Sequence, residues 1–293
     1  MKVVENKTRF LAIARNDSKF SIKKMFWNIP PDINIFGLHI HLYGLFFALG
    51  LLFGGLVVMQ KMQKLNAPQS YFIYAFIGVF VGARLFHCIF YEPDYYFSHP
   101  LEMLLPISFQ SGKLQFVGYQ GLASHGGTLG LMIALWFYAR KHKINYLQIC
   151  DIFAFAVPLA GGFIRLGNLM NSEIVGAPTA MPWAFVFPQI DLIPRHPAQL
   201  YEAVWYFLLA VFMLILFKKI GFKYRYGFYM GIGLVGVAVF RFFIEFLKAP
   251  QVDFENSMLL NVGQLLSIPF ILAGIWLIIF TTNKSSGLFG ERS

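Results

Sequence analysis

The stretch GGFIRLGNLMNSEIVG, residues 161–176, places an arginine, two asparagines and a glutamate at the close of an apolar run. Charge in or beside a membrane segment costs about 3 kcal/mol or more, so charged residues persist there mainly where they have partners and a task. The polar residues of this stretch are Arg165, Asn168, Asn171 and Glu173. We interpret the stretch as the polar centre of an apolar chain.

The composition indicates an integral membrane protein. The 293 residues are 57% hydrophobic and 13% charged, whereas soluble domains carry roughly 25% charged residues. The net charge of +10 suits cytoplasmic loops that face anionic lipid, and no basic run with interleaved aromatic residues indicates nucleic acid as a partner. Cys88 and Cys150 lie in apolar runs without disulfide or metal spacing, so we expect small buried side chains.

Seven apolar segments approach the roughly 20 residues that a helix needs to cross a bilayer. They are predicted at residues 39–60, 71–91, 118–139, 147–164, 199–217, 226–246 and 262–280. The fold class is therefore an all-α polytopic membrane protein with about seven transmembrane helices. Five prolines between residues 168 and 197 exclude one continuous helix, so we expect a small extracytoplasmic head between helices four and five.

The predicted domain organisation has three parts. A basic, amphipathic arm spans residues 1–31, the transmembrane domain spans residues 32–283, and a short cytoplasmic tail spans residues 284–293. Lysine and arginine clusters follow the first, third, fifth and seventh segments, and such loops are cytoplasmic. This assignment puts the N-terminus outside. The basic arm conflicts with it, since the arm would face outward.

Most polar residues of the predicted helices lie near the outer ends, and Asp151 is the clear inner exception. Random placement would distribute them over both ends, so we expect one cavity in the outer leaflet. Gly126 and Gly127 beside His125 allow a ligand or another backbone to approach closely. The remaining outer-end residues are Tyr43, Arg84, Arg165, His196, Gln199, Tyr201, Glu202, Arg241 and Glu245.

Each candidate also has a purely structural interpretation. The balance of three outer-end arginines against three nearby glutamates does not by itself define a cationic site. The structural alternatives are an ion network for Arg165, Arg241 and Glu245, a satisfied helix histidine for His125, interface aromatics for Tyr43 and Tyr201, and a helix start for His196-Pro197. We expect no role for His39, His41, His87, His99 and His142.

Several blocks, in one order, resemble the bacterial phosphatidylglycerol:prolipoprotein diacylglyceryl transferases. Residues 165–176 are similar to the signature of that family. The other matching blocks are Tyr43-Gly44-Leu45, Gly82-Ala83-Arg84, His125-Gly126-Gly127, HPAQLYE at residues 196–202, RFFIEF at residues 241–246 and GQLLSIP at residues 263–269. The chain departs from the family pattern at Ile164, usually glycine, at Leu169, usually phenylalanine, and at Val237, where a tyrosine is common.

The resemblance implies transfer of diacylglyceryl from phosphatidylglycerol to the lipobox cysteine of a prolipoprotein, which forms a thioether and releases glycerol 1-phosphate. It also implies the bacterial inner membrane, a site toward the outer leaflet, and partners that are phosphatidylglycerol, prolipoprotein signal peptides and membrane lipids. No cofactor and no metal are expected. Substitution at an sp3 carbon with a phosphate leaving group proceeds through positioning and charge stabilisation.

The chemistry then assigns roles to the candidates. A thiol is mostly protonated at neutral pH, so a base is needed, and His125 is the candidate. Arg165 and Arg241, with Arg84 as a further candidate, would hold the phosphate. We expect Glu173, Glu202 and Glu245 to orient the arginines, Asn168, Asn171 and Gln199 to bind glycerol or peptide backbone, and Tyr43, Gly126, Gly127, Gly176, His196 and Tyr201 to complete the substrate-binding set.

Two other classes compete with this interpretation. The first is a multi-helix transporter or a lipid-binding protein with an outer-leaflet polar pocket; a transporter would need a polar path through both leaflets, and commonly repeats, which the sequence does not display. An intramembrane protease would need a second aspartate beside Asp151 or a serine with a histidine at helix depth. One-sided polar clustering favours the transferase.

Overall fold

The computed structural model describes residues 25–35, 37–105, 107–108, 115–116, 123–248 and 259–282. These residues are mostly helical. The helices are α1 (Leu42–Gln63), α2 (Tyr71–Phe90), α3 (Pro93–Ser98), α4 (Pro100–Leu104), α5 (Ser124–His142), α6 (Tyr146–Met170), α7 (Ala198–Ile220), α8 (Phe228–Ile244), extended by a 3-10 turn (Glu245–Leu247), and α9 (Val262–Thr282). The strands are β1 (Met25–Phe26), β2 (Asp32–Ile35), β3 (Leu38–His41), β4 (Ile107–Ser108), β5 (Gln115–Phe116), β6 (Phe185–Val186) and β7 (Pro194–Arg195).

Six of the described helices are long and apolar enough to cross a membrane. They are α1, α2, α6, α7, α8 with its 3-10 turn, and α9. The chain is therefore a multi-pass helical membrane protein. The third predicted segment, residues 118–139, corresponds to α5, which begins at Ser124 with small and polar residues and ends in Arg140, Lys141 and His142. Those two polar ends shorten its apolar length below that of the other six.

Helix α6 lies at the centre of the bundle and packs against α1, α5, α7 and α8. The Asn145 side chain caps its N-terminus by accepting from the backbone N–H groups of Leu147 and Gln148, which satisfies donors that have no partner inside the helix. Small residues bring α1 close, since a methyl group on Gly50 would lie 3.1 Å from the Ala160 carbonyl oxygen. Helices α2 and α9 pack instead on α5 and α8, respectively.

Helices α2 and α5 meet along a glycine seam, which consists of Gly78 and Gly82 on α2 and Gly126 and Gly130 on α5. A methyl group on Gly130 would lie 2.0 Å from the Gly78 carbonyl oxygen, and one on Gly82 would lie 2.3 Å from the Gly126 carbonyl oxygen. The two backbones are therefore in direct contact, as small residues permit in membranes.

Among the helix boundaries that differ from those predicted from the sequence, two lie beside the polar stretch. The fourth segment was expected to end at residue 164, but α6 continues to Met170, because Arg165 and Asn168 find polar partners inside the bundle. The helix ends at Asn171, after which Ser172 adopts a left-handed backbone with φ of 53°. The first segment begins at Leu42 rather than at residue 39, since residues 38–41 form β3 and pair with β2.

The segment between α6 and α7 is a compact folded loop. Its strands β6 and β7 are antiparallel, and β1 from the start of the chain pairs with β6 in parallel. The Trp27 indole N–H donates to the Leu169 carbonyl at 2.9 Å, which ties the same incoming segment to the end of α6. The expected arm lies outside the described residues at residues 1–24, as does the expected tail at residues 284–293.

At the opposite end of α6, Asp151 is fully buried. Its carboxylate accepts from the backbone N–H groups of Gly227 at 2.8 Å and Met230 at 2.7 Å, at the start of α8. The partial positive charge of a helix N-terminus stabilises an anion there. Asp151 thus joins α6 to α8. Cys88 and Cys150 are both free and buried, as predicted.

Candidate functional site

The arginine of the opening stretch is held between two helices. Arg165, near the end of α6, places its Nε 3.2 Å from Glu202 Oε2, and its Nη1 donates to Asn168 Oδ1 at 3.2 Å. Glu202 lies at the start of α7 and is wholly buried, whereas 15% of the Arg165 side chain is exposed. The guanidinium is therefore fixed by two partners and still accessible on one side.

Lys248 is a site residue that the sequence analysis missed. Its ammonium lies 3.1 Å from Glu202 Oε1 and 2.9 Å from Glu245 Oε1, and only 3% of the side chain is exposed. The chain reaches this position because the 3-10 turn after α8 docks on the folded loop, where Gly176 bridges to Lys248 and the Ala177 N–H donates to Leu247. The sequence signal for this contact was the position of Lys248 three residues after Glu245, a spacing that brings two side chains together on one helix face.

Arg241 completes a line of alternating charges. Its Nε lies 4.0 Å from Glu245 Oε1, one helical turn away, and 37% of the side chain is exposed. We call the series Arg165, Glu202, Lys248, Glu245 and Arg241 the ion chain. It contains three cations and two carboxylates, so its formal charge is +1. Glu202 therefore contacts Arg165 and Glu245 contacts Arg241, and the surplus positive charge of the ion chain can pair with an anion.

An amide layer lies beside Arg165. Glu173 accepts from Asn168 Nδ2 at 3.2 Å and from Asn171 Nδ2 at 2.8 Å, and the buried Gln199 donates to the Glu173 backbone carbonyl. In these contacts Glu173 orients two asparagines, whereas the sequence suggested an arginine. Within the described parts of the chain, the buried Gln199 Oε1 and Asn171 Oδ1 have no hydrogen-bond partner. Such atoms cost about 1–3 kcal/mol each, which a polar ligand would offset.

Two tyrosines border the ion chain and the amide layer. Tyr43, at the start of α1, packs over Gly167 so closely that a methyl group there would lie 3.0 Å from Tyr43 Cδ2, and it interacts electrostatically with Glu173 and Arg165. Tyr206, one turn after Glu202, interacts with Arg165, Glu202 and Arg241. Tyr206 was not predicted, because a tyrosine inside an apolar helix carries no motif.

The folded loop contributes a separate aromatic contact. Tyr201 Oη accepts from the Trp183 indole N–H at 2.7 Å and lies 3.3 Å from His196 Nδ1. Burial lowers the pKa of His196 below its usual value of 6.5, so the ring is neutral at pH 7. Gly176 packs between strands, since a methyl group there would lie 2.5 Å from His196 Cβ and 2.8 Å from the Leu247 carbonyl oxygen.

Other predicted site residues make their described contacts elsewhere. Arg84 donates to the Glu102 carbonyl at 2.6 Å and to the Met103 carbonyl at 3.0 Å, within α4, and its guanidinium lies 4.8 Å from the centre of the Tyr96 ring. Gly126 forms part of the glycine seam, and a methyl group on the neighbouring Gly127 would lie 3.4 Å from the backbone of Val79. The His125 side chain lies outside the described residues.

In the part of the chain that the structure describes, no three His, Cys, Asp or Glu side chains are grouped so that they could hold a metal ion. The positive charge of the site is supplied by the guanidinium and ammonium groups of the ion chain. Such groups bind phosphate through charge-assisted hydrogen bonds. The site can therefore hold an anionic group next to a layer of amides.

Fold and site together define a multi-pass membrane protein with a cationic, amide-lined site at one end of its helix bundle. Residues 30–280 match the model of the prolipoprotein diacylglyceryl transferase family, and the chain belongs to that family. The resemblance seen in the short motifs is thus confirmed.

Three relatives carry the name phosphatidylglycerol–prolipoprotein diacylglyceryl transferase. The protein from Bacteroides fragilis is 50% identical over 266 residues, which cover 89% of this chain and 96% of the relative. The protein from Tolumonas auensis is 41% identical over 268 residues, 89% of this chain and 99% of the relative. That from Chloroherpeton thalassium is 40% identical over 270 residues, 90% of this chain and 96% of the relative.

Proposed function

We propose that this chain transfers the diacylglyceryl group of phosphatidylglycerol to the cysteine thiol of a prolipoprotein lipobox, which forms a thioether and releases glycerol 1-phosphate. The observation that carries the proposal is the ion chain. Its buried members are Glu202, Lys248 and Glu245, whereas the two ends, Arg165 and Arg241, keep exposed surface. Two partly exposed guanidinium groups on a frame with one surplus positive charge can together bind one lipid phosphate.

The reaction breaks the bond between the glyceryl carbon and the phosphate oxygen. The thiolate sulfur supplies the electron pair of the new carbon–sulfur bond, and the electrons of the broken bond leave with the phosphate. Negative charge therefore increases on that oxygen in the transition state, where Arg165 and Arg241 stabilise it. Because each guanidinium contacts a carboxylate, both are oriented before the substrate binds.

The amide layer suits the uncharged parts of the substrates. The free Gln199 Oε1 and Asn171 Oδ1 can accept from a hydroxyl group of the glycerol headgroup or from a peptide N–H, and Glu173 keeps the amide of Asn171 in place. Tyr43 interacts electrostatically with Glu173 of this layer and with Arg165, so its hydroxyl is a candidate donor to the phosphate. A base must also take the thiol proton, the role expected for His125.

The strand pairing supports a topology with seven spans. β1 precedes α1 and β6 follows α6, and their pairing requires that both strands lie on one side of the membrane. The chain must therefore cross an even number of times between them. With α1, α2 and α6 as three crossings, α5 supplies the fourth. The seven spans are then α1, α2, α5, α6, α7, α8 and α9.

The charges of the connecting segments support an outward-facing site in the bacterial inner membrane. The ends of α1, α5 and α7 remote from the folded loop carry the lysine and arginine clusters, and such clusters remain in the cytoplasm. The ion chain and the folded loop are then extracytoplasmic, and the loop is the expected head. A secreted prolipoprotein and the outer-leaflet lipid would reach the site from the same side.

The direct test is a transfer assay with purified protein in phosphatidylglycerol vesicles and a synthetic lipobox peptide. We expect a peptide mass gain of one diacylglyceryl group, absent when the peptide cysteine is replaced by serine. Arg165→Ala and Arg241→Ala should abolish it, while Arg195→Ala, which removes an arginine paired with Asp191, should not. Solute uptake into vesicles without a mass gain would instead favour a transporter.

A further inference from the structure

His41, for which the sequence suggested no role, forms a dyad with Asp32. The two residues are direct partners in the β2–β3 hairpin, and His41 Nδ1 lies 2.6 Å from Asp32 Oδ1. About half of each side chain is exposed, 51% for His41 and 56% for Asp32. The hairpin is tied to the start of α1 by the Leu42 N–H, which donates to the Pro31 carbonyl at 2.8 Å.

The Asp32 carboxylate decides which nitrogen of the neutral His41 ring carries the proton. A carboxylate only accepts, so the proton is on Nδ1, which donates to Asp32 at 2.6 Å. Nε2 then presents its lone pair. Asn171 Nδ2, which donates to Glu173 Oε1 at 2.8 Å, lies 3.4 Å from this nitrogen. This is the tautomer and the orientation that a general base requires.

A continuous series of polar contacts joins this dyad to the ion chain. It runs from His41 to Asn171, from Asn171 to Glu173, from Glu173 to Asn168 and from Asn168 to Arg165. His41 also lies two residues before Tyr43, which interacts with Glu173 and Arg165. The basic nitrogen therefore faces the same amide layer to which the proposed function assigns the uncharged parts of the substrates.

We propose that His41, in place of the expected His125, is the catalytic residue that takes the proton of the substrate thiol on Nε2, and that Asp32 is a positioning residue for the ring. This inference rests on the proposed function. The S–H proton passes to Nε2, the sulfur lone pair forms the bond to the glyceryl carbon, and the glyceryl carbon–oxygen bond breaks with its electrons on the phosphate. The 3.4 Å contact with Asn171 is long for a hydrogen bond, so a thiol can replace it.

The charges around His41 favour this role. Asp32 faces one side of the ring, and Glu173 lies beyond the Asn171 amide on the other. Tyr43, on the helix that follows β3, is neutral near pH 7 and adds no charge. Both neighbouring carboxylates stabilise the imidazolium that forms when the thiol loses its proton. The half-exposed position lets a thiol on a separate peptide reach Nε2.

The test compares kcat/KM over pH 6 to 9.5 for wild type, His41→Gln, Asp32→Asn and His125→Asn in the vesicle assay. His39→Gln is the matched control, because His39 lies on the same strand and face, two residue pairs further along, opposite Asn34. We expect His41→Gln to lower kcat/KM by roughly 100-fold at pH 7. The loss should shrink to within about threefold at pH 9.5, where the thiol ionises without help.

Asp32→Asn should lower kcat/KM by roughly tenfold at pH 7 with the same recovery at high pH, and His39→Gln should match wild type. His41→Gln activity within threefold of wild type at pH 7 would overturn the proposal. So would a loss that stays constant to pH 9.5, or a loss confined to His125→Asn. If wild type itself transfers no diacylglyceryl group, the proposed function fails instead. If His41→Gln does not fold, the Asp32→Asn variant decides. Recovery of its kcat/KM at high pH supports the proposal, and a loss that stays constant overturns it.

Discussion

The two ends of the helix bundle both bury acidic side chains, but they satisfy them in different ways. At one end, Asp151 accepts from backbone N–H groups of α8. At the other, the ion chain pairs side chains with side chains, carries one surplus positive charge and leaves part of each terminal arginine, Arg165 and Arg241, exposed. Backbone donors are fixed and already used, so Asp151 has a structural role, whereas the ion chain still has capacity for an anion.

The largest expected effect is on Arg165, which the ion chain holds with two partners. Arg165→Ala should lower kcat/KM for transfer by roughly 1000-fold, because the phosphate loses its best-fixed donor. Arg165→Lys should lose roughly 100-fold, since an ammonium lacks the planar fork of N–H groups with which a guanidinium contacts Glu202 and Asn168 and still offers donors to a phosphate. Both variants are measured by peptide mass gain after confirming monodisperse elution. Near-wild-type activity of the lysine variant would show that only charge matters at this position.

Substitution of Lys248 should have the next largest effect, because its ammonium contacts both Glu202 and Glu245. Lys248→Met should leave Glu202 and Glu245 unpaired and lower the free energy of unfolding by about 3 kcal/mol or more. Transfer should fall by roughly 100-fold as the arginines lose their fixed partners. Lys248→Arg should keep most of the stability. Lys64→Met, at an exposed lysine directly after α1, is the matched control and should change stability by no more than about 0.5 kcal/mol.

Substitution of Asp151 should lower stability without lowering the rate of transfer. Asp151→Asn replaces one acceptor oxygen by an NH2 group that faces the N–H donors of Gly227 and Met230, which should lower stability by about 1–3 kcal/mol. Transfer by the folded fraction should remain near that of wild type. Thermal unfolding in detergent and kcat/KM at low temperature separate the two effects. A large kcat/KM loss with unchanged stability would contradict the structural role of this carboxylate.

The smallest expected effect is the pH dependence caused by His196. Burial lowers its pKa in the folded state below 6.5, so the unfolded chain binds the proton more readily. The contribution of His196 to stability is therefore present above about pH 6.5 and lost as the pH falls below it. The melting temperature of wild type should decrease more between pH 7 and pH 5.5 than that of His196→Gln. Parallel curves would show that this ring is not the group responsible.

The long helices were predictable, because apolar length is a direct physical requirement for crossing lipid. The segment that became α2 begins at Tyr71 as predicted and ends one residue before the predicted end. Strand β3 was not separated from α1, since His39 and His41 alternate with apolar residues over too few positions to distinguish the two periods. The pairing of β1 with β6 depends on tertiary structure and has no local signal.

The site was predictable only in part, for a related reason. Arg165, Glu202, Arg241 and Glu245 lie at helix ends where a charge stands out against apolar neighbours. Lys248 follows a helix and resembles an ordinary loop cation until its two carboxylate partners are known. His41 is comparable, because its role depends on the cross-strand position of Asp32 and on the amide of Asn171.

The glycine seam between α2 and α5 has a consequence for how a lipid reaches the site. At Gly78 and Gly130 the two backbones already touch, so no gap wide enough for a hydrocarbon tail exists along that line. These two helices therefore form one closed face of the bundle. A two-tailed lipid must enter and leave the bundle beside this helix pair rather than between its two helices.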